Sequence, residues 1–318
     1  LVSDSKCRDI LSQSSYYNRN VNKINMNTQK LFDNQLAKLK MGRARKLNAK
    51  GADFLAEHAA VDLHERLLPV ERNFPVSAAL FCATGAAARV LRESGKTDKI
   101  IRIEDCRVPG GRNEALVISD IEEIPLARES ANLVVSLLAM HRINDLPGFL
   151  TQIRNSLKPD GLFLAAVPGA GTLAELRECS LAADAEINGG AVPRVMPLAD
   201  VRQLGGLLQR AGFALPVADI ENLTVRYGTM FDLIRDLRAM GSTNILLERS
   251  RRFENRFLFL RAAEIYRERY SDADGRIRAT FSLVWLSGWA PHESQQKPAR
   301  RGSATQSLEA ALNNLKPR

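Results

Sequence analysis

The chain has four cysteines and four histidines in 318 residues, and neither set clusters. Cys7, Cys82, Cys106 and Cys179 form no CxxC pair, which argues against a structural zinc site and for a reducing compartment. No apolar run approaches the roughly 20 residues that a membrane-spanning helix needs, and no secretory-type apolar stretch opens the sequence. A GxSxG nucleophile elbow, a GxxxxGK[ST] phosphate loop and an HExxH helix are all missing. The short glycine pairs in Pro109-Gly110-Gly111 and Gly189-Gly190 read as turns, too brief to cradle a phosphate. Asp272-Ala273-Asp274-Gly275 also reads as a turn, because the other ligand positions of an EF-hand loop are absent.

What is present is enough apolar residue, 45%, beside 25% charged, to bury one sizeable core with additions. The formal charge of +9 is concentrated at one end: residues 1–50 hold eleven Lys/Arg against three Asp/Glu, a net of +8 that leaves +1 for the rest. The globular part is therefore nearly neutral, and no specific nucleic-acid surface is expected from it. The basic arm suits nucleic acid, acidic lipid or an acidic partner, or is simply a solvated helix face.

Residues 132–168 define the architecture. Positions 132–138 are a continuous apolar, β-branched run, as in a strand covered on both faces. Asn144 or Asp145 caps a helix whose Leu146, Phe149, Leu150, Ile153 and Leu157 form one stripe. Lys158-Pro159-Asp160-Gly161 stops it, and 162–167 is a second buried strand. Such a strand–helix–strand unit is a parallel pair with a right-handed crossover, the building block of a doubly wound α/β sheet. Strands are also expected at 77–82, 99–104, 115–119, 215–227 and 280–289. Helices are expected from 31 to about 39 and at 53–68, 172–185, 200–211, 231–240 and 250–270. Residues 1–26, polar and without apolar periodicity, read as disordered or as an upstream extension, with Met26 a plausible start.

The same stretch, with its NDLP and LKPDGLFLAA segments, resembles the fourth and fifth strands of class I S-adenosylmethionine (SAM)-dependent methyltransferases. More specific are Arg72-Asn73-Phe74-Pro75, the segment from Gly169 to Arg177, Leu207 to Phe213, Arg238-Ala239-Met240-Gly241, and Gly288 to Gln295. They resemble a family of mitochondrial complex I assembly factors described as arginine hydroxylases, with α-proteobacterial relatives. The resemblance implies a Rossmann-like α/β fold with a seven-stranded, mostly parallel sheet in the order 3-2-1-4-5-7-6 and helices on both faces. Residues 27–70 would be helices ahead of the first strand, 71–290 the methyltransferase-like domain with an insertion at 169–197 and a helical addition at 229–270, and 291–318 an extended tail. SAM is the implied cofactor and a protein, such as a complex I subunit, the implied partner. The implied location is cytoplasmic for a bacterial relative and the mitochondrial matrix for a eukaryotic one.

The family pattern of acid, any, Gly, any, Gly, any, Gly after the first strand falls on Ala79, Phe81, Ala83 and Gly85, so only the last glycine is kept. Phe81 is expected to put a ring where this fold leaves space for cofactor, and Ala79 removes a charge. Glu104, ending the second strand, takes the position of the carboxylate that accepts from the ribose hydroxyls. Asp120 falls beside the adenine, with Ile121 as an apolar contact. Arg142 stands where an aromatic follows the histidine, and His141 has the chemistry of a general base. Two classes stay open: an enzyme modifying a protein substrate through SAM, and a non-catalytic assembly factor that keeps the fold without tight cofactor binding.

Overall fold

The structure, a computed structural model, describes residues 30–82, 84–108, 114–251 and 255–296. The expectations for residues 1–26, Ala83, Pro109-Gly110-Gly111 and the tail beyond 296 lie outside them. Seven strands form one sheet in the order β3-β2-β1-β4-β5-β7-β6. They are β1 (Val76–Leu80), β2 (Lys99–Glu104), β3 (Glu114–Ile118), β4 (Ala131–Leu137), β5 (Leu157–Pro168), β6 (Ala214–Tyr227) and β7 (Ile277–Trp289). β1 to β5 run parallel and β7 is antiparallel to both neighbours. The order is the one expected for a class I methyltransferase fold.

The central unit forms for the anticipated reasons, with one difference at the helix stop. Helix α4 (Leu146–Ser156) starts where the Asp145 side chain accepts from Gly148 N at 2.9 Å, and it buries Phe149, Leu150 and Ile153 against the sheet. It ends at Ser156 rather than at the lysine, because Leu157 already pairs with Ala131. Residues 158–161 bulge out of the strand, Asp160 at φ 63°, and pairing resumes at Leu133↔Leu162. Gly161 is needed there: a Cβ would lie 2.9 Å from Lys158 O and 3.1 Å from Asn132 O.

The remaining helices are α1 (Asn34–Leu47), α2 (Phe54–Leu67), α3 (Ala86–Glu93), α5 (Ala174–Asn188), α6 (Val201–Arg210), α7 (Met230–Ala239) and α8 (Arg256–Tyr270). α1 runs eight residues past its expected end, and α3 was not anticipated. One face of the sheet packs Phe81, Phe149, Ile153, Phe163 and Phe213; the other packs Leu63, Leu67, Leu91 and Trp285. A third core joins α5, α7 and α8 to the first half of β7 through Tyr266, Leu233 and Phe281. This helical addition stands over the sheet's carboxyl edge and walls off a space there. No helix of the described residues is long and apolar enough to cross a membrane.

Candidate active site

Three strand ends open into one cavity. Cys82 and Thr84 after β1, Leu138 and His141 after β4, and Pro168 at the end of β5 line a space of about 1280 Å³. The residues of α1 and its following loop, the start of α5, and α7 with residues 242–244 close it. Open α/β sheets bind ligands at the carboxyl ends of their strands, and this space lies there. The turns around it are tightly built. Phe81, Leu138 and Leu173 all have left-handed backbones, with φ of 52°, 58° and 54°, and strain of this kind gathers at ligand sites. At Gly169 a Cβ would lie 2.6 Å from Val284, and at Gly171 2.3 Å from the Ser282 hydroxyl, so both glycines let the loop press against β7. Thr172 Oγ1 then donates to Ser282 O and accepts from Ser282 N, both at 3.0 Å, which fixes the start of α5.

The expected cofactor residues separate into three groups. Gly85 is the exposed residue before α3, with an ordinary φ of −79° and only the Arg102 guanidinium within 4 Å of a built Cβ, at 3.8 Å. The approach to its backbone is open. Glu104 is buried, its side chain 1% exposed. Arg102 Nε and Nη2 donate to its Oε1 at 3.2 and 3.1 Å, and Arg45 Nη2 of α1 lies 3.7 Å from its Oε2. Oε2 has no hydrogen-bond partner among the described residues. Burial pushes the Glu104 carboxyl up, and the two arginines only partly pull it back. Asp120 is exposed and accepts from Glu122 N at 3.0 Å, while Ile121 is 4% exposed inside the core with Phe81. Ile121 therefore already has its apolar contacts within the protein.

Phe81 corrects an expectation. Its ring does not line the cavity: it is fully buried in the core on the Phe149 face of the sheet, with the two ring centroids 6.1 Å apart. Its backbone nevertheless takes the left-handed turn that a glycine would take. Ala79 is fully buried and sits in register with Arg102. The space left by the absent acid thus adjoins a cation already held by Glu104 at 3.1 Å and by Glu114 at 3.5 Å.

His141 and Arg142 have different duties from those suggested by their spacing. Arg142 is buried and donates to Asp105 Oδ2 at 2.8 Å, so it locks β2's exit to β4's exit. Burial pushes the Asp105 carboxyl up, but Arg142 outweighs it and holds the pKa below the usual range. His141 lines the cavity, and burial followed by the charge of Arg142 lowers its pKa to about 3. At neutral pH it is an uncharged hydrogen-bonding group and a weak base.

Several residues of the site escaped the sequence reading. Arg45 gave no local signal, because its partner Glu104 lies 59 residues away, whereas Arg102 shares a strand face with Glu104 and that spacing was a visible clue. His58, Asp62 and Glu221 also gather, with His58 Nε2 2.9 Å from Glu221 Oε1, between α2 and β6 and outside the cavity lining. The i,i+4 spacing of the first two on a predicted helix was a visible clue.

A methyltransferase-domain family model matches residues 80–216. The human protein "Arginine-hydroxylase NDUFAF5, mitochondrial" is 38% identical over 299 residues, covering 91% of this chain and 86% of its own length. The chain belongs to the NDUFAF5 family. Zebrafish NDUFAF5 is likewise 38% identical over 270 residues, 82% of this chain and 83% of the relative. The malonyl-[acyl-carrier protein] O-methyltransferase of Xylella fastidiosa is 34% identical over 177 residues, 56% of this chain and 58% of that protein. Among solved structures, the BH2331 protein of Bacillus halodurans covers 73% of this chain and 99% of its own, with a TM-score of 0.50 and 13% identity, a likeness of fold. The NDUFAF5-family match spans both the sheet and the helical addition, so the cavity is built from residues within it.

Proposed function

We propose that this chain binds SAM across Thr84, Gly85 and Glu104 and modifies a protein side chain delivered into the cavity. The observation that carries the reading is Glu104 Oε2: a buried carboxylate oxygen without a hydrogen-bond partner among the described residues, at the strand position where this fold meets a ribose, and facing Arg45, which lines a cavity large enough for cofactor and acceptor. Gly85, exposed beside Thr84, supplies the approach to backbone for the methionine end. SAM, when bound, supplies an electrophilic sulfonium methyl group. The protein's part is placement and exclusion of water, for which the apolar walls and the fixed turns are suited. The human relative's name points to arginine as the residue type acted on, and the family resemblance to a complex I subunit as its carrier. The mitochondrial relatives support a matrix location for a eukaryotic bearer of the chain.

A second reading is favoured by one feature. Arg45 and Arg102 together cover Glu104, as they would in an assembly factor that keeps the fold without tight cofactor binding. The two readings part at Gly85. A Cβ there meets only the Arg102 guanidinium, at an ordinary contact distance of 3.8 Å, so Gly85→Leu is expected to melt within a few degrees of the parent while weakening SAM at least tenfold in calorimetric titration. Equal affinity in parent and variant would place SAM elsewhere, and absence of binding in the folded parent would favour the assembly-factor reading.

A further inference from the structure

The cavity is lopsided in charge. Lys40, Arg43, Arg45, Lys50, Arg194 and Arg238 line it, and Asp53 is the one carboxylate among its lining residues. Three of the six cations are engaged. Lys40 Nζ donates to Asn244 O at 2.6 Å, Arg45 faces Glu104, and Arg194 donates to Asp184 at 2.6 and 2.8 Å. Arg43, Lys50 and Arg238 are exposed, and their side chains have no carboxylate partner among the described residues. They approach the opening from two sides: Arg43 and Lys50 from α1 and its loop, Arg238 from the end of α7. These two elements are held close, since a Cβ on Gly241 would lie 3.1 Å from Met41 Cα. The surface between the cations is aliphatic, with Leu47, Ile234 and Leu237.

An arginine side chain entering this space is itself a cation meeting cations. Like charges at short range repel, and more strongly where walls exclude water. The segment that carries such an acceptor must therefore bring negative charge of its own. We infer that the cavity accepts an acidic polypeptide segment, its carboxylates meeting Arg43, Lys50 and Arg238 and its apolar side chains meeting the aliphatic wall. The choice of a polypeptide rests on the function proposed above; the charge asymmetry stands without it. A single-stranded nucleic acid would call for a row of exposed aromatic stacking platforms; of the two phenylalanine rings in the lining, Phe281 is buried in the core and Phe259 is already covered by Arg194.

Fluorescence anisotropy of the full chain with three labelled peptides tests this. Each has one central arginine, flanked by runs of glutamate, of glutamine or of lysine. The glutamate peptide is expected to bind at least tenfold more tightly than the other two, with a margin that shrinks as salt is raised. The Arg43→Glu, Lys50→Glu, Arg238→Glu triple variant should abolish the margin, and each single change to glutamine should cut it two- to threefold if the triple variant fails to fold. Equal binding of the three peptides would overturn the inference, as would a margin that survives the triple variant. So would an oligonucleotide of matched charge that competes as well as the glutamate peptide. SAM titration of the same preparation reads the earlier proposal separately: loss of SAM binding with the peptide margin intact refutes only the cofactor reading.

Discussion

Phe81 combines a left-handed backbone with a core ring, and the two make opposite demands on any substitution. Glycine there would relieve roughly 1–2 kcal/mol of backbone strain but empty a ring-sized space, for which loss of a large aromatic costs about 3–5 kcal/mol. Phe81→Gly is therefore expected to lose about 1–4 kcal/mol in urea unfolding, with no gain in SAM affinity, although it restores a family glycine. An unchanged midpoint would show that the ring contributes little to the core. His141 gives a second test at this scale. Its pKa falls from the ordinary value near 6.5 to about 3 on folding, so between those pH values the unfolded chain binds more protons than the folded one. Stability from this group is full above about pH 6.5 and is lost as pH falls toward 3, with a slope of at most about 1.4 kcal/mol per pH unit. His141→Gln should flatten that part of the pH–stability curve; an unchanged slope would mean the imidazole is protonated in the fold.

Helix α1 closes the cavity, and its entry is tied down by one side chain. Asn144 Oδ1 accepts from Leu31 N and Phe32 N, both at 2.8 Å, while its amide donates to Glu122 at 3.1 Å. Asp33 adds a bond from its N–H to Ile245 O at 2.8 Å and an ion pair with Arg249 at 3.2 Å. Asn144→Ala is expected to cost about 1–3 kcal/mol and to speed hydrogen exchange in residues 31–37 while leaving β4 protected. Acceleration spread evenly over the chain would mean that the segment is held by something else. Of the two cap residues the sequence offers, Asp145 does the capping, and Asn144 instead reaches 112 residues back along the chain to Phe32. Such long reach leaves no periodic trace. Strand β4 was legible because a parallel strand covered on both faces is written as a near-continuous apolar run. Helix α3 was not, since much of its buried face is Ala86, Ala87 and Ala88, which carry almost no hydrophobic contrast.

Across the whole molecule, the segments that carried the family resemblance fall at two opposite ends. Arg72, Asp160, Trp289 and Gln295 meet near the amino end of β5: Arg72 pairs with Asp160 and lies 4.8 Å over the Trp289 ring, and Gln295 donates to Asp160 at 2.9 Å. These brace the sheet far from the cavity. The segments from Gly169 and Arg238 instead shape the cavity itself. The strands and helices were readable from local pattern and their order from the family resemblance, whereas the site was not, because its lining comes from stretches as distant as Lys40 and Phe281 that only the strand order brings together. One more thing follows from α1. Two positions apart on this helix, Arg45 reaches back to Glu104 and Arg43 stands at the opening. A ligand hydroxyl bound at Glu104 Oε2 would come within reach of Arg45, 3.7 Å from that oxygen, on the same helix that carries Arg43. Whatever factor the first ligand then applies to the affinity of the second, the second must return to the first, since the free energy of the doubly occupied state does not depend on the order of arrival. Any coupling between two such ligands would therefore run through this helix and would be equal in both directions.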